Sequence, residues 1–336
     1  MSSSALIRTL AIAGSLASAL ALGCGGEDEP GVDDTADIGA ADATDATTTD
    51  GGPTSDAATD AGDAGEGDDA GGDDAAIAAP ACAESATGTW IITRFEFLAT
   101  NPDGTVDGYD VDGVVSDGSD AEGCAKVDAT SSDGTEGIDN QLAVLLPALE
   151  ATGVSLQTLI GARIKEGQIV FVTELDGTYD DCDAVRFQRG DGEVLFGSDG
   201  STLAYQTLGL YEGATESTST TCESTSECGV RVTGEQLTLE FLFITQEIRI
   251  DLFEWQGDFE VGDDGTLTGL IGGAVGLDGV MDIVEGLGGC GDEPIRQALE
   301  PLLPNFADVF PDEDGQCTGI SVAVRIEAVP IYLFED

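Results

Sequence analysis

Residues 236–261 read QLTLEFLFITQEIRIDLFEWQGDFEV, and this run decides the fold class. Leu237, Leu239, Phe241 and Phe243 recur at every second position, the period of a strand with one buried face. The alternation breaks around Thr245-Gln246 and then resumes, which predicts two strands meeting there. Gly262-Asp263-Asp264-Gly265 next supplies a hairpin turn into TLTGLIGGAV, so the pattern continues as antiparallel structure.

The same period extends outward in both directions. Upstream, GTWIITRFEFLA (88–99) places Trp90, Ile92, Phe95 and Phe97 on a strand with a slip in register. QIVFVTEL (168–175), AVRFQ (184–188), VLFG (194–197) and LAYQTLGLY (203–211) are further strand candidates, set apart by Asp-Gly turns. Downstream, ISVAVRIEAVPIYLF (320–334) alternates Val322, Val324 and Ile326, with Pro330 marking an edge or bulge. Helices are predicted from Gln141 to Glu150, capped by Asp139 and kinked or split at Pro147, and from a Ser155 cap to Lys165. Two more cover 277–287 and 293–303, the latter opening with Pro294. The fold class is therefore α+β and mainly antiparallel β, a β-sandwich in preference to a barrel, with a few short helices.

Ahead of this domain, assigned to residues 82–336, the composition changes twice. Residues 25–81 hold seventeen Asp and Glu, no Lys or Arg and no aromatic residue, with Ala, Gly and Thr making up most of the rest. Such a segment has too little to bury to offset the entropy of ordering it, and like charges extend it, so residues 24–81 read as a disordered tether. Before it, TLAIAGSLASALAL (9–22) follows Arg8 as an uncharged run shorter than the roughly 20 residues of a membrane-spanning helix. Residues 1–23 are thus a secretory leader.

The end of that leader, Leu20-Ala21-Leu22-Gly23-Cys24, resembles the lipobox of bacterial lipoproteins, although Ala21 stands where Leu is commonest. The resemblance implies a diacylglyceryl group on the Cys24 sulfur, cleavage just before it, and a membrane held as partner through acyl chains at about 0.8 kcal/mol per buried CH₂. Gly25 after the cysteine, where Asp would be the retention signal, implies an address in the cell envelope at the outer membrane. The tract Asp-Gly-Tyr-Asp-Val-Asp-Gly (107–113), followed by Cys124 and by Gly-Ile-Asp-Asn-Gln-Leu (137–142), also resembles predicted myxobacterial lipoproteins. That likeness implies surface placement and disulfides, and it implies no activity.

Charge and missing residue types prune the chemistry. With 66 Asp and Glu against 11 Lys and Arg, the formal charge of −55 disfavours nucleic acid and other polyanions as partners. Adaptation to salt water is the simpler account of that charge, and cations, basic proteins or neutral sugars stay open as ligands. There is no histidine, so no Ser-His-Asp or Cys-His machinery and no His-ligated metal can form, and any catalysis would fall to carboxylates. Seven cysteines besides Cys24 are widely spread, which reads as disulfides in an oxidising compartment with one thiol left over. Cys222 with Cys228 is the most local pairing, and Cys290 with Cys317 would tie the last helical region to the final strand; spacing alone does not fix the connectivity.

The chemically richest tract is 101–139, where Asp and Gly crowd together. Calcium takes six to eight oxygen ligands, and glycine permits the turns that gather close-spaced acids around one ion. Asp110-Val111-Asp112-Gly113 looks like the middle of an EF-hand loop, but Gly108 and Ser119 stand where that loop needs its first and last ligands. Asp107, Asp110 and Asp112, joined by Asp139 or Asn140 from the helix start, form the candidate calcium set. Solvated Asp-Gly turns account for the same residues, and the composition slightly favours them.

Three function classes follow. The preferred one is a non-catalytic surface lipoprotein displaying a β-rich domain for envelope structure or for binding a surface protein or polysaccharide. The others are a calcium-dependent adhesion module and a carboxylate-based glycoside hydrolase. The hydrolase needs a cleft holding an acid whose pKa is raised by burial, whereas the adhesin needs converging oxygens around a cation.

Overall fold

The run that opens the sequence argument forms the longest antiparallel pair in the domain. The structure, a computed structural model, describes residues 88–119, 124–151, 155–178, 181–225, 229–243, 246–288, 297 and 299–334. The leader, the tether, Cys24 and the predicted helix start at Pro294 lie outside the described residues. In chain order the elements are β1 (Gly88–Phe97), β2 (Ala129–Thr130), β3 (Glu136–Ile138), α1 (Leu142–Ala151), α2 (Leu156–Lys165), β4 (Phe171–Thr178) and β5 (Asp181–Asp191). Then come β6 (Thr207–Leu210), β7 (Ser217–Thr218), β8 (Thr221–Ser224), β9 (Gly229–Phe243), β10 (Gln246–Val261) and β11 (Leu267–Gly276). α3 (Leu277–Gly288), a 3-10 turn (Leu303–Asn305), β12 (Val309–Pro311), β13 (Cys317–Pro330) and β14 (Tyr332–Leu333) complete them.

Leu237, Leu239 and Phe241 are buried on one face of β9, as the alternation requires. Opposite them on β10 stand Ile248, Ile250 and Leu252, also buried, while the turn between the strands lies outside the described residues. Further along, Trp255 of β10 faces Gly234 of β9. The indole is fully buried and meets Phe187 of β5 edge-on at 5.7 Å. A Cβ on residue 234 would lie 2.1 Å from the indole nitrogen, so only glycine leaves room for that ring.

Twelve of the strands form one sheet, with the path β14-β6-β5-β4-β1-β13-β11-β10-β9-β8 and with β7 beside β5 and β12 beside β13, in which all but the β14–β6 pair are antiparallel; β2 and β3 pair separately. It curls into a half-barrel, an outcome between the sandwich and the barrel. The segment 217–224 spans the gap between its two sides. Ser217–Thr218 pairs with β5, Thr221–Ser224 pairs with β9, and a disulfide from Cys182 to Cys222 crosses at the same place.

One hydrophobic core fills the curl. It joins Phe95, Phe171, Phe187, Phe241 and Trp255 of the sheet to Leu145, Leu149, Ile160 and Ile164 of α1 and α2 and to Val280 and Ile283 of α3. A smaller cluster of Ile91, Val170, Val172, Val194, Leu208 and Ile331 lies apart from it, under the 194–208 segment and the chain end. Among the described residues, no single helix is long and apolar enough to cross a membrane.

The slip expected within 88–99 is present, as a bulge between Ile92 and Arg94. Several other expectations need correction. VLFG (194–197) forms no strand: the chain turns back at Gly197–Ser201, and Phe196 makes one isolated bridge to Thr202. Pro147 does not split its helix, which runs from Leu142 to Ala151 with the proline exposed on its outer side. Neither cysteine pairing holds. Cys222 bonds Cys182 and Cys317 bonds Cys124, while Cys228 and Cys290 lie outside the described residues. Short separation favoured the local pairs, but the fold brings residues 40 and 193 positions apart to Cα distances of 5.5 and 5.9 Å.

Candidate metal centre

The Asp-rich loop is fixed from beneath before its acids are placed. Tyr109 packs its ring against Gly272 of β11, where any Cβ would come within 2.4 Å of it. The Tyr109 hydroxyl lies 3.0 Å from Asp258 Oδ2 and 3.0 Å from the Leu270 carbonyl oxygen, and burial pushes this phenol's pKa up. Gln256 of β10 donates from Nε2 to the Asp110 carbonyl at 2.9 Å. On the other side, the Asp139 amide donates to the Tyr109 carbonyl at 2.8 Å, so the loop is stapled to the start of α1.

This scaffold gathers three carboxylates. One oxygen each from Asp110, Asp112 and Asp139 lies within 4.8 Å of the others. Two ligands at 2.3–2.6 Å from one calcium ion can stand no more than roughly 4.6–5.2 Å apart, and the three oxygens fall within that span. Each acid is also held by backbone N–H groups. Asp110 Oδ1 accepts from Gly113 at 2.6 Å, and Asp112 Oδ1 accepts from Val114 at 2.9 Å. Asp139 Oδ2 accepts from Val111 at 2.8 Å and from Asp112 at 3.3 Å.

Asp139 is the deep member, at 4% exposure. Burial raises its pKa to about 8; the charges of Asp112 and Asp308 add to the rise, and the Val111 and Asp112 amides oppose it. Asp112 is raised as well, first by burial and then by Asp110 and Asp128. The cluster thus holds excess negative charge that a proton or a hard cation would relieve.

Three of the four predicted acids are brought together, and Asp107 is not among them. Its Oδ1 accepts from the Ser132 hydroxyl at 2.7 Å and the Ser132 amide at 3.1 Å, and its Oδ2 meets Arg325 Nη2 at 3.3 Å. The Ser132 hydroxyl, with help from Arg325, holds this carboxyl below its usual value. Nor does Asp139 cap the helix. Asn140 Oδ1 accepts from the Ala143 amide at 3.3 Å, freeing Asp139 to face the loop.

Sequence reasoning missed Asp308. It is 5% exposed, beside the apolar Ala307 and Val309, and a lone acid in such a run is the signal that would have flagged it. Its carboxylate accepts from the Ser321 amide at 2.8 Å and from the Ser321 hydroxyl. Ser321 Oγ in turn accepts from the Gln141 amide at 2.8 Å, which seats the start of α1 on β13. Burial raises the Asp308 pKa to about 6, against the pull of Ser321.

Two grooves are open on the described residues. One groove of about 440 Å³ is lined by Arg231, Asp258, Glu260, Thr268 and Arg325, and another of about 560 Å³ by Arg94, Gln157, Lys165, Ser201 and Glu327. Neither is lined by Asp139 or Asp308. No family model, curated protein or solved structure matches the chain.

Proposed function

We propose that this chain is a lipid-anchored protein of the cell envelope, carried at the outer membrane on acylated Cys24, whose β domain serves as a non-catalytic binding or structural module. The observation that carries this reading is the agreement of two independent signals for export. The lipobox-like end of an apolar leader is one, and two disulfides between distant elements of the domain are the other. A catalytic role is less favoured because Asp139 and Asp308, the acids whose pKa burial raises furthest, line neither groove. Cells grown with labelled palmitate are expected to label the wild-type chain and not a Cys24→Ser variant, with the mature protein starting at residue 24 by mass spectrometry. An unlabelled wild-type chain would remove the anchor from this reading.

The Asp110–Asp112–Asp139 group favours a second reading, in which calcium stabilises the domain and makes its adhesion calcium-dependent. A ligand bound only by the folded form stabilises it by mass action, about 2.7 kcal/mol when free calcium is a hundredfold above Kd. Millimolar calcium is therefore expected to raise Tm of the wild type and to leave an Asp112→Asn variant unmoved. Equal responses of the two proteins would sink this reading.

A further inference from the structure

The segment 194–211 and the chain end display an aromatic surface that nothing above uses. Tyr205 and Tyr332 are 57% and 59% exposed, with ring centroids 6.1 Å apart and planes tilted by 37°. Leu195, Leu203 and Phe334 are exposed nearby in the same paired segments. This surface is rigidly mounted. Gln206, itself buried, accepts from the Leu195 amide at 2.8 Å and donates to the Leu203 carbonyl at 2.7 Å. The Tyr205 amide donates to the Pro330 carbonyl, the Tyr332 amide to the Gln206 carbonyl, and Ile331 and Leu208 anchor both strands in the smaller core.

Tyr205 also adopts φ +60°, a left-handed backbone that a bulky residue takes at a cost and that glycine would take freely. A rigid loop that spends strain to hold a tyrosine ring in water suggests that the ring itself is used.

We propose that the Tyr205–Tyr332 pair is a binding platform for a neutral polysaccharide. The proposal rests on reading the domain as a non-catalytic binding module and gives that module a ligand class. Aromatic faces carry negative quadrupole charge and attract the polarised C–H face of a pyranose ring. Residues 193–212 contain no Lys or Arg and expose Glu193, Asp199 and Glu212, carboxylates that accept hydrogen bonds from sugar hydroxyls. The chain's charge of −55 disfavours polyanions, anionic lipid and a second copy of itself, whereas an uncharged, hydroxyl-rich ligand meets no such penalty. Neither ring lines the two grooves described above, so both lie on open surface.

The test is affinity electrophoresis of the full-length chain in gels containing laminarin, glycogen, galactomannan or alginate. The expected result is retardation in at least one of the three neutral gels and none in alginate. Tyr205→Gly, which suits the left-handed backbone, and Tyr332→Ala should each weaken that retardation about tenfold with Tm unchanged, while Tyr205→Phe retains it. Free mobility of the wild type in all three neutral gels overturns the proposal, as does retardation that both ring deletions leave intact. If the deletions instead abolish self-association in sedimentation, or binding to phosphatidylcholine vesicles, the surface belongs to those partners and the proposal falls. Palmitate labelling reports on the anchor separately, so either result can fail without the other.

Discussion

Replacing Cys124 and Cys317 together by serine is expected to cost about 5 kcal/mol of unfolding free energy, the entropy returned to an unfolded chain freed from a closed loop of that size. The two residues are 193 positions apart, so their bridge encloses most of the domain. The Cys182–Cys222 bridge spans 40 positions and should be worth less, about 4 kcal/mol by the same relation. Urea denaturation of both double variants under oxidising conditions checks the ranking. An unfolding midpoint for the Cys124/Cys317 variant equal to that of the wild type would show that the long bridge does not constrain the unfolded chain. The order matters for function as well, because the long bridge ties residue 124, within the Asp-rich tract 101–139, to β13, which also carries Ser321 and the seat of α1.

The second large effect concerns Asp139. Its folded pKa of about 8 stands well above the unfolded value of 3.8. Between those values the folded chain keeps a proton that the unfolded chain has released, so stability falls as pH rises through the window and levels off beyond it. Below about pH 4 both states are protonated and the cost vanishes. At about 1.4 kcal/mol per unit, the loss across the window is on the order of 5 kcal/mol. Asp308 adds a loss of the same sign that ends near its own value of about 6.

Asp139→Asn keeps an oxygen to accept from the Val111 and Asp112 amides and turns N–H donors toward Asp110 and Asp112. In chelator it is expected to be more stable than wild type at pH 8, to match it near pH 4, and to show a flatter pH profile. Calcium, which binds the ionised carboxylates, should restore the wild type at pH 8 and do nothing for the variant. Denaturation curves at pH 4, 6 and 8 with and without calcium settle the matter, and parallel profiles for the two proteins would refute the assignment.

How far the sequence reveals such features depends on how local their causes are. The β9–β10 hairpin was legible because every second residue from Leu237 to Phe241 faces one core, and period two is written in the chain itself. The helix of residues 156–165 was legible through Ser155, whose hydroxyl accepts from the Thr158 amide. The disulfides were not, because Cys182 meets Cys222 only after β5 is drawn beside β8 by the curl of the sheet. The acidic centre was half legible. Asp110, Asp112 and Asp139 share an Asp-rich tract, but whether Asp107 joined them depended on Ser132 and Arg325, and Arg325 is 218 residues away. VLFG looked like a strand because apolar character says a residue is wanted against a core, and Val194 does enter the smaller one without a ladder to join.

The way the sheet finishes also bears on how copies of the chain meet. The two ends of the sheet path are β8, four residues long, and β14, two residues long and preceded by Pro330. Copies of the chain brought side by side would find these two end strands too short to template another. The longer margin is that of β9 beyond Thr233, which pairs with β10 on one side and lies past the reach of β8 on the other.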